Sequence, residues 1–326
     1  MTIIKDYSPF IGQHCETNAT GNLLKHAGLE LSEPMLYGLG EGLAFGILIF
    51  KNMPAPFLGG RPRGEEITKN LANNLGFNLE YRTTRSKKRA WENITSFVDA
   101  GQPVGVKLDA YFLDYLTSPI HFAGHYLAVY GYDDEKVFII DTDQQGSVVT
   151  NKRDKFEEGR LWQGPMASNA LTWTITLGGE IDWPAVLRKA IVNNATAFLN
   201  PPISNFGAKG IRKTAKLVPT WLDMVKNAPR ELKQLGMIME HGGTGGALFR
   251  NMYRDFLTEA DGYLNSPAIR AAHDIFAEAA ALWTQVSQKF THAGDEGSKR
   301  LQEAAKLLLR LADMEEKAVT ALANLC

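Results

Sequence analysis

Cysteine is nearly absent: the 326 residues hold two, Cys15 and the last residue, Cys326. Thiols so placed argue against a framework of intrachain disulfides, and both are expected to be reduced. No run of about eighteen apolar residues occurs, which argues against a membrane-spanning helix. The chain opens Met-Thr-Ile-Ile-Lys-Asp-Tyr, without the basic stretch and apolar run of a secretory signal. A cytoplasmic location with no membrane partner is therefore expected. Charge of one sign is also missing: 35 basic residues stand against 36 acidic ones, so no nucleic-acid partner is expected. His14 and Cys15 lack further Cys or His ligands at short spacing, and no glycine run has the order of a nucleotide-binding fingerprint. No metal and no cofactor is expected. Neither an internal repeat nor a low-complexity tract is visible.

What is present is ample core material, 44% hydrophobic against 22% charged residues, enough for two domains. Residues 1–178 read as mixed α and β, and residues 179–326 as mainly helical, with Gly178-Gly179 as the boundary. Helical spacing covers Glu65 to Leu75 and Arg89 to Ala100, each feeding a strand, Asn78 to Arg82 and Gln102 to Asp109. Between them and the thiol, Tyr37 to Phe50 is a glycine-punctuated apolar stretch suited to close backbone packing. His125 to Asp134 and Lys136 to Asp143 form a hairpin through an Asp-Asp turn. Residues 144–170 read as irregular, and Leu171 to Leu177 closes the sheet. In the second half, Asp182 caps a helix with Pro184 in its first turn. Pro219 to Lys226 and Arg230 to Glu240 are shorter candidates, and two long helices follow Pro267 and Ser298. The last helix carries Leu301, Leu308, Ala312 and Val319 on one face, which serves either the bundle or a homo-oligomer.

Chemistry concentrates on Gly12-Gln-His-Cys15-Glu-Thr-Asn18. Thr17, Asn18 and Thr20 read as caps of a helix that Gly28 stops. A thiol at a helix N-terminus has its thiolate favoured, and the same free N–H groups suit a developing oxyanion. A cysteine-protease-type centre also needs an imidazole and a polar group that orients it. His125 begins an apolar strand and Asp141 ends its neighbour, so Cys15, His125 and Asp141 are the catalytic candidates. His121 competes with His125 but reads better as a lid or substrate-facing residue. Gln13 is either an oxyanion donor or a loop-packing group. Asp109 and Asp114 flank Tyr111-Phe112, as cleft wall or as exposed loop carboxylates. The basic run Arg85 to Arg89 is a solvated face or a surface for an acidic partner. Gly242 to Gly246, ahead of an expected helix from Ala247 to Ala260, is either an anion-binding nest or a plain turn.

Taken together, these residues resemble the butirosin biosynthesis protein H family. The matching pieces are Gly12 to Asn18, Gly38 to Gly46, Ala100 to Val104 leading to Asp109 and Tyr111, His125 to Asp133 with Asp141, and Gly242 to Arg250 with Tyr253 and Phe256. The resemblance implies a papain-like cysteine-peptidase-type α+β domain followed by a helical domain of unassigned function. It also implies acyl transfer: the namesake takes an aminoacyl group from a carrier-protein thioester and passes it to an aminoglycoside amine. In the wider papain-like pattern the oxyanion glutamine lies further upstream, where this chain has Pro9.

On this reading Cys15 forms an acyl-enzyme that a small-molecule amine resolves, with an acyl carrier protein as donor. Tyr111, His121, Gly245, Gly246 and Arg250 are the expected substrate contacts, and the helical domain is expected to exclude water. A cysteine peptidase or amidase is the alternative, and a binding protein on the same scaffold the third reading.

Overall fold

A computed structural model describes residues 1–50, 53–117, 120–294 and 296–325, so Cys326 lies outside the described residues. In chain order the strands are β1 (Thr2–Ile3), β2 (Gly46–Leu48), β3 (Phe57–Gly59), β4 (Asn78–Arg82), β5 (Val104–Leu108), β6 (His125–Tyr132), β7 (Lys136–Ile140), β8 (Val148–Lys152) and β9 (Thr172–Thr176). The helices are α1 (Cys15–His26), α2 (Glu33–Leu39), α3 (Glu66–Leu75), α4 (Lys87–Val98), α5 (Arg153–Leu161), α6 (Trp183–Leu199), α7 (Gly207–Leu217), α8 (Trp221–Met224), α9 (Ala228–His241), α10 (Arg250–Leu264), α11 (Pro267–Thr291) and α12 (Gly297–Ala323). Two compact units result. The first joins Met1–Leu36 to Ile67–Ile181, and the second joins Tyr37–Glu66 to Asp182–Cys326.

The first unit is α+β. Its sheet runs β4-β9-β5-β6-β7-β8 with β1 added along β6, and every pair is antiparallel. Along β5 the alternate residues Val104, Val106 and Leu108 enter one core with Ile94 and Val98 of α4, Leu127 and Val129 of β6, and Phe156 of α5, the period-2 pattern of a strand. Gly105 turns the other way, where an added Cβ would stand 2.0 Å from the Trp173 ring. The expected hairpin is β6–β7, and its turn is held by Asp133, whose Oδ1 accepts from the N–H groups of Glu135 and Lys136 at 2.9 and 2.6 Å. The residues read as irregular, 144–170, contain β8 and α5 instead. Polar residues such as Thr150 and Asn151 masked that strand, which pairs in register with β7.

The second unit is mainly helical. It also takes the segment Tyr37–Glu66 out of the N-terminal half, so the boundary is not the single point at Gly178-Gly179. The glycines explain why. An added Cβ at Gly38 would lie 2.0 Å from Phe256, and one at Gly60 would lie 2.4 Å from the Leu248 carbonyl. Leu43 completes the seam, donating its N–H to Asn194 Oδ1 and accepting from Asn194 Nδ2 at 3.0 and 2.8 Å. Asp182 caps α6 as expected, accepting from the Ala185 N–H at 3.1 Å. Helix α7, with glycine at both Gly207 and Gly210, was not legible from its spacing. Among the described residues no helix is long and apolar enough to cross a membrane.

Three expected substrate contacts, Arg250, Gly245 and Gly246, take structural roles here. Arg250 is fully buried. Its Nε and Nη2 pair with the two Glu315 oxygens at 2.8 Å each, and Nη1 donates to the carbonyls of Ala44 and Leu248. Trp283 Nε1 donates to the same carboxylate at 2.6 Å, and the guanidinium lies over the Trp283 ring. Every nitrogen of Arg250 donates within the core. The glycine turn is likewise closed on itself: Thr244 Oγ1 accepts from the Gly246 N–H, and Glu240 Oε2 accepts from the Ala247 N–H. A side-chain carboxylate of the chain thus occupies the place of an outside anion. Left-handed backbone runs from Gly245 through Phe249, so α10 begins at Arg250 rather than Ala247.

Removing Glu315 leaves a buried guanidinium uncompensated. Glu315→Gln is expected to cost about 3 kcal/mol in urea unfolding followed by tryptophan fluorescence. A double variant, Arg250→Met with Glu315→Met, should lose less than either single variant, because no unpaired charge remains.

Candidate active site

The thiol segment is held by polar groups that belong to the buried helix behind it. Helix α1 begins at Cys15 itself, with His14 as the N-cap in extended backbone and no side-chain cap. Thr17, Asn18 and Thr20, expected as caps, lie inside the helix and are buried. Asn18 Oδ1 accepts from the Gly12 N–H at 2.7 Å. Asn22 clasps Phe10, accepting from its N–H at 2.9 Å and donating to its carbonyl at 2.8 Å. Glu33 takes the next two donors: the N–H groups of Gln13 and His14 each lie 2.8 Å from its carboxylate, with the Thr17 hydroxyl at 2.7 Å. Burial raises the Glu33 carboxyl above its ordinary range, and these donors oppose the rise. Gly12 makes room for that carboxylate, since an added Cβ would meet it at 2.7 Å. At the other end, Gly28 (φ +99°) closes the helix as expected, its N–H reaching the Lys25 carbonyl.

Cys15 is partly exposed at the first position of α1, a helix that packs on β6. His125 is the first residue of β6 and Asp141 the first after β7. His125 Nε2 lies 2.8 Å from Asp141 Oδ2, and its side chain is also hydrogen-bonded to Cys15. With Nε2 on the carboxylate, Nδ1 is the nitrogen left for the sulfur. Asp141 is fully buried, and besides His125 it accepts from the Tyr115 hydroxyl at 2.8 Å and the Thr142 N–H at 2.7 Å. The loop after it closes the site, because the Asp143 N–H donates to the Gly12 carbonyl at 3.0 Å.

Burial works against charge at both members of the pair, and the pairing wins. For His125, desolvation lowers the affinity for a proton, yet Asp141 and then Cys15 raise it well above the ordinary imidazole value. For Asp141, desolvation pushes the carboxyl up, while His125, Tyr115 and the Thr142 N–H bring it below its usual range. Burial first, then the charge of Asp141 and the hydrogen bond donated to it, push the Tyr115 phenol up and hold it neutral.

His121 pairs with Asp109, Nδ1 to Oδ2 at 2.6 Å. Asp109 is fully buried rather than an exposed loop carboxylate. Tyr111 is half-exposed and packs on the His121 ring. Gln13 is exposed two residues before the thiol. Lys87 and Lys88, two of the four cations in the basic run, pair with Glu157 and Glu92. Among the described residues no three His, Cys, Asp or Glu side chains converge as a metal site. Sequence reasoning did not find Glu33 or Tyr115. Neither has a local signal, because Glu33 looks like an ordinary helix start and Tyr115 one more loop aromatic.

Residues 14–142 match the family described as "Butirosin biosynthesis protein H, N-terminal", and residues 154–322 match "Domain of unknown function (DUF4872)". The chain belongs to the butirosin biosynthesis protein H-like family. The first matched segment of this family member encloses Cys15, His125 and Asp141. Two solved structures resemble part of the chain. One, described as a C39-like peptidase from Bacillus anthracis, is 21% identical over 55% of this chain and 100% of that one, with a TM-score of 0.38. The other, the peptidase domain of Streptococcus ComA, described as a bi-functional ABC transporter involved in a quorum sensing pathway, is 18% identical over 54% and 98%, with a TM-score of 0.33. No curated protein matches the chain.

The pair sets a pH window for stability. Because the folded His125 value is raised, its contribution is complete below the unfolded imidazole value, about 6.5, and fades as pH rises through the folded value. Because the folded Asp141 value is lowered, its contribution is complete above about 3.9 and is lost as pH falls through the folded value. Asp141→Asn should therefore be less stable than the parent by about 3 kcal/mol between roughly pH 4 and 6.5. The gap should narrow on either side in urea titrations, and one constant across pH would contradict the charged pairing.

Proposed function

We propose that the protein is a cysteine-dependent acyltransferase that moves an acyl or aminoacyl group from a thioester to an amine. The observation that carries this reading is the single line of contacts from buried Asp141 through His125 to Cys15 at the start of α1. In that line Asp141 fixes the ring and supports the imidazolium, His125 Nδ1 takes the thiol proton, and the sulfur attacks the acyl carbonyl. The Cys15 N–H, at the helix start, faces the developing oxyanion, with the exposed Gln13 side chain as its partner donor. The released thiol leaves with the proton held by His125, and the amine then resolves the acyl-enzyme. Membership of the butirosin biosynthesis protein H-like family favours transfer over hydrolysis and an acyl carrier protein as donor.

The test offers an acyl N-acetylcysteamine thioester with and without an added amine and identifies the products by mass. Amide formed at the expense of acid is expected, together with a Cys15 acyl adduct. Cys15→Ala should lower turnover by about 10⁴-fold or more while the circular dichroism spectrum stays unchanged. Acid alone, whatever the amine, would instead make the protein a hydrolase.

A further inference from the structure

His121 makes a second imidazole–carboxylate pair that the thiol chemistry does not use. Asp109 follows the last residue of β5, and Leu108 before it is the register partner of His125. The two pairs therefore leave the sheet at the same end. Four residues separate His121 from His125, which limits their Cα distance to about 14 Å, the length of a small substrate.

The local structure fixes one tautomer. Asp109 Oδ1 is filled by two peptide donors, Tyr111 N–H at 3.1 Å and Phe122 N–H at 2.8 Å. Its Oδ2 is left to accept from His121 Nδ1 at 2.6 Å. The ring is clamped on both faces, by Trp162 (4.7 Å, 10°) and by Tyr111 (4.3 Å, 32°). The His121 side chain is nonetheless 41% exposed, and among the described residues Nε2 has no partner. A core histidine satisfies both nitrogens. This one is oriented by a buried carboxylate and offers its second nitrogen outward, which is the arrangement of a proton acceptor.

We propose that His121 is the proton-accepting subsite for the amine substrate, with Asp109, Tyr111 and Trp162 holding it in place. The inference rests on the acyl-transfer reading, and the chemistry explains the need. Water reaches an acyl-enzyme uncharged, so a hydrolase requires no second base. A primary alkylamine near neutral pH arrives as an ammonium ion, with a pKa near 10 like that of lysine. One ammonium proton passes to His121 Nε2, and the N–H bonding electrons become the nitrogen lone pair. That lone pair forms the C–N bond to the acyl carbon. As the tetrahedral intermediate collapses, the C–S electrons return to the Cys15 sulfur, and the nitrogen's surplus proton leaves through His125.

The experiment acylates the enzyme from a glycyl N-acetylcysteamine thioester, supplies 1,4-diaminobutane as the amine, and measures the ratio of amide to acid between pH 6 and 10. His121→Phe keeps the stacked ring and removes Nε2. Its amide-to-acid ratio should fall about 10²-fold at pH 7 and recover toward pH 10, where the free amine forms unaided. A ratio equal to the parent's at pH 7 overturns the subsite. A parent that yields only acid, or takes no acyl group, overturns the acyl-transfer reading instead. His121 is then judged by its ¹⁵N imidazole shifts at fixed pH: a saturable change at Nε2 on adding 1,4-diaminobutane, the mark of a hydrogen bond from the ammonium, supports the subsite, and unmoved shifts overturn it.

Discussion

The site depends on one buried carboxylate. Asp141 has no exposure to water, and an isolated carboxylate in that position would take up a proton rather than stay charged. Three donors reverse that tendency: the Tyr115 hydroxyl, the Thr142 N–H and His125 Nε2. Their combined demand fixes the imidazole in one orientation, so Nδ1 is presented to the sulfur without any further group to hold it. The constraint then passes on through the chain. Asp143, two residues later, bonds the Gly12 carbonyl, so the turn that carries the carboxylate also sets the height of the thiol loop.

Helix α1 meets the same loop from the other side, and its composition shows the cost. Nine consecutive residues, Glu16 to Leu24, are buried, and five of them are Glu, Thr or Asn. An apolar helix would pack with less desolvation. It would leave the peptide groups of Phe10 and Gly12 without partners, and buried backbone donors are costly to leave unmade. Asn18 and Asn22 supply those partners, with Glu33 of α2 taking the next two donors, while Glu16 and Thr20 turn instead to Thr68 of α3. Rigidity at the thiol is thus built from polar side chains in a core position.

Legibility from sequence follows the range of the interaction. Hairpin β6–β7 was readable because its pattern and its Asp-Asp turn are local. Cys15, His125 and Asp141 could be picked out as candidates because each residue type carries chemistry and sits at an element terminus, and the structure brings their side chains together. Strand β8 and helix α7 were hidden, the first by polar residues on a strand with one exposed face and the second by glycines that pack against neighbouring carbonyls. The transfer of Tyr37–Glu66 to the second unit was invisible for a different reason. It depends on Gly38 and Gly60 touching Phe256 and Leu248, partners roughly two hundred residues away in sequence. Arg250 shows the opposite error, in which an arginine after a glycine run was read as a substrate contact while its carboxylate partner is Glu315.

That error points to what separates structural from chemical buried charge in this protein. Around Arg250 every nitrogen donates to an acceptor inside the core, Glu315, Ala44 or Leu248, and the side chain has no exposure through which to meet a ligand. The two aspartates differ in where their chains of donors end. Asp141 leads through His125 to a partly exposed sulfur, and Asp109 leads through His121 to a nitrogen facing outward. Each carboxylate is as completely desolvated as the arginine. The distinction therefore lies neither in burial nor in charge, but in whether the last atom of the network is satisfied by the protein or left for something else to meet.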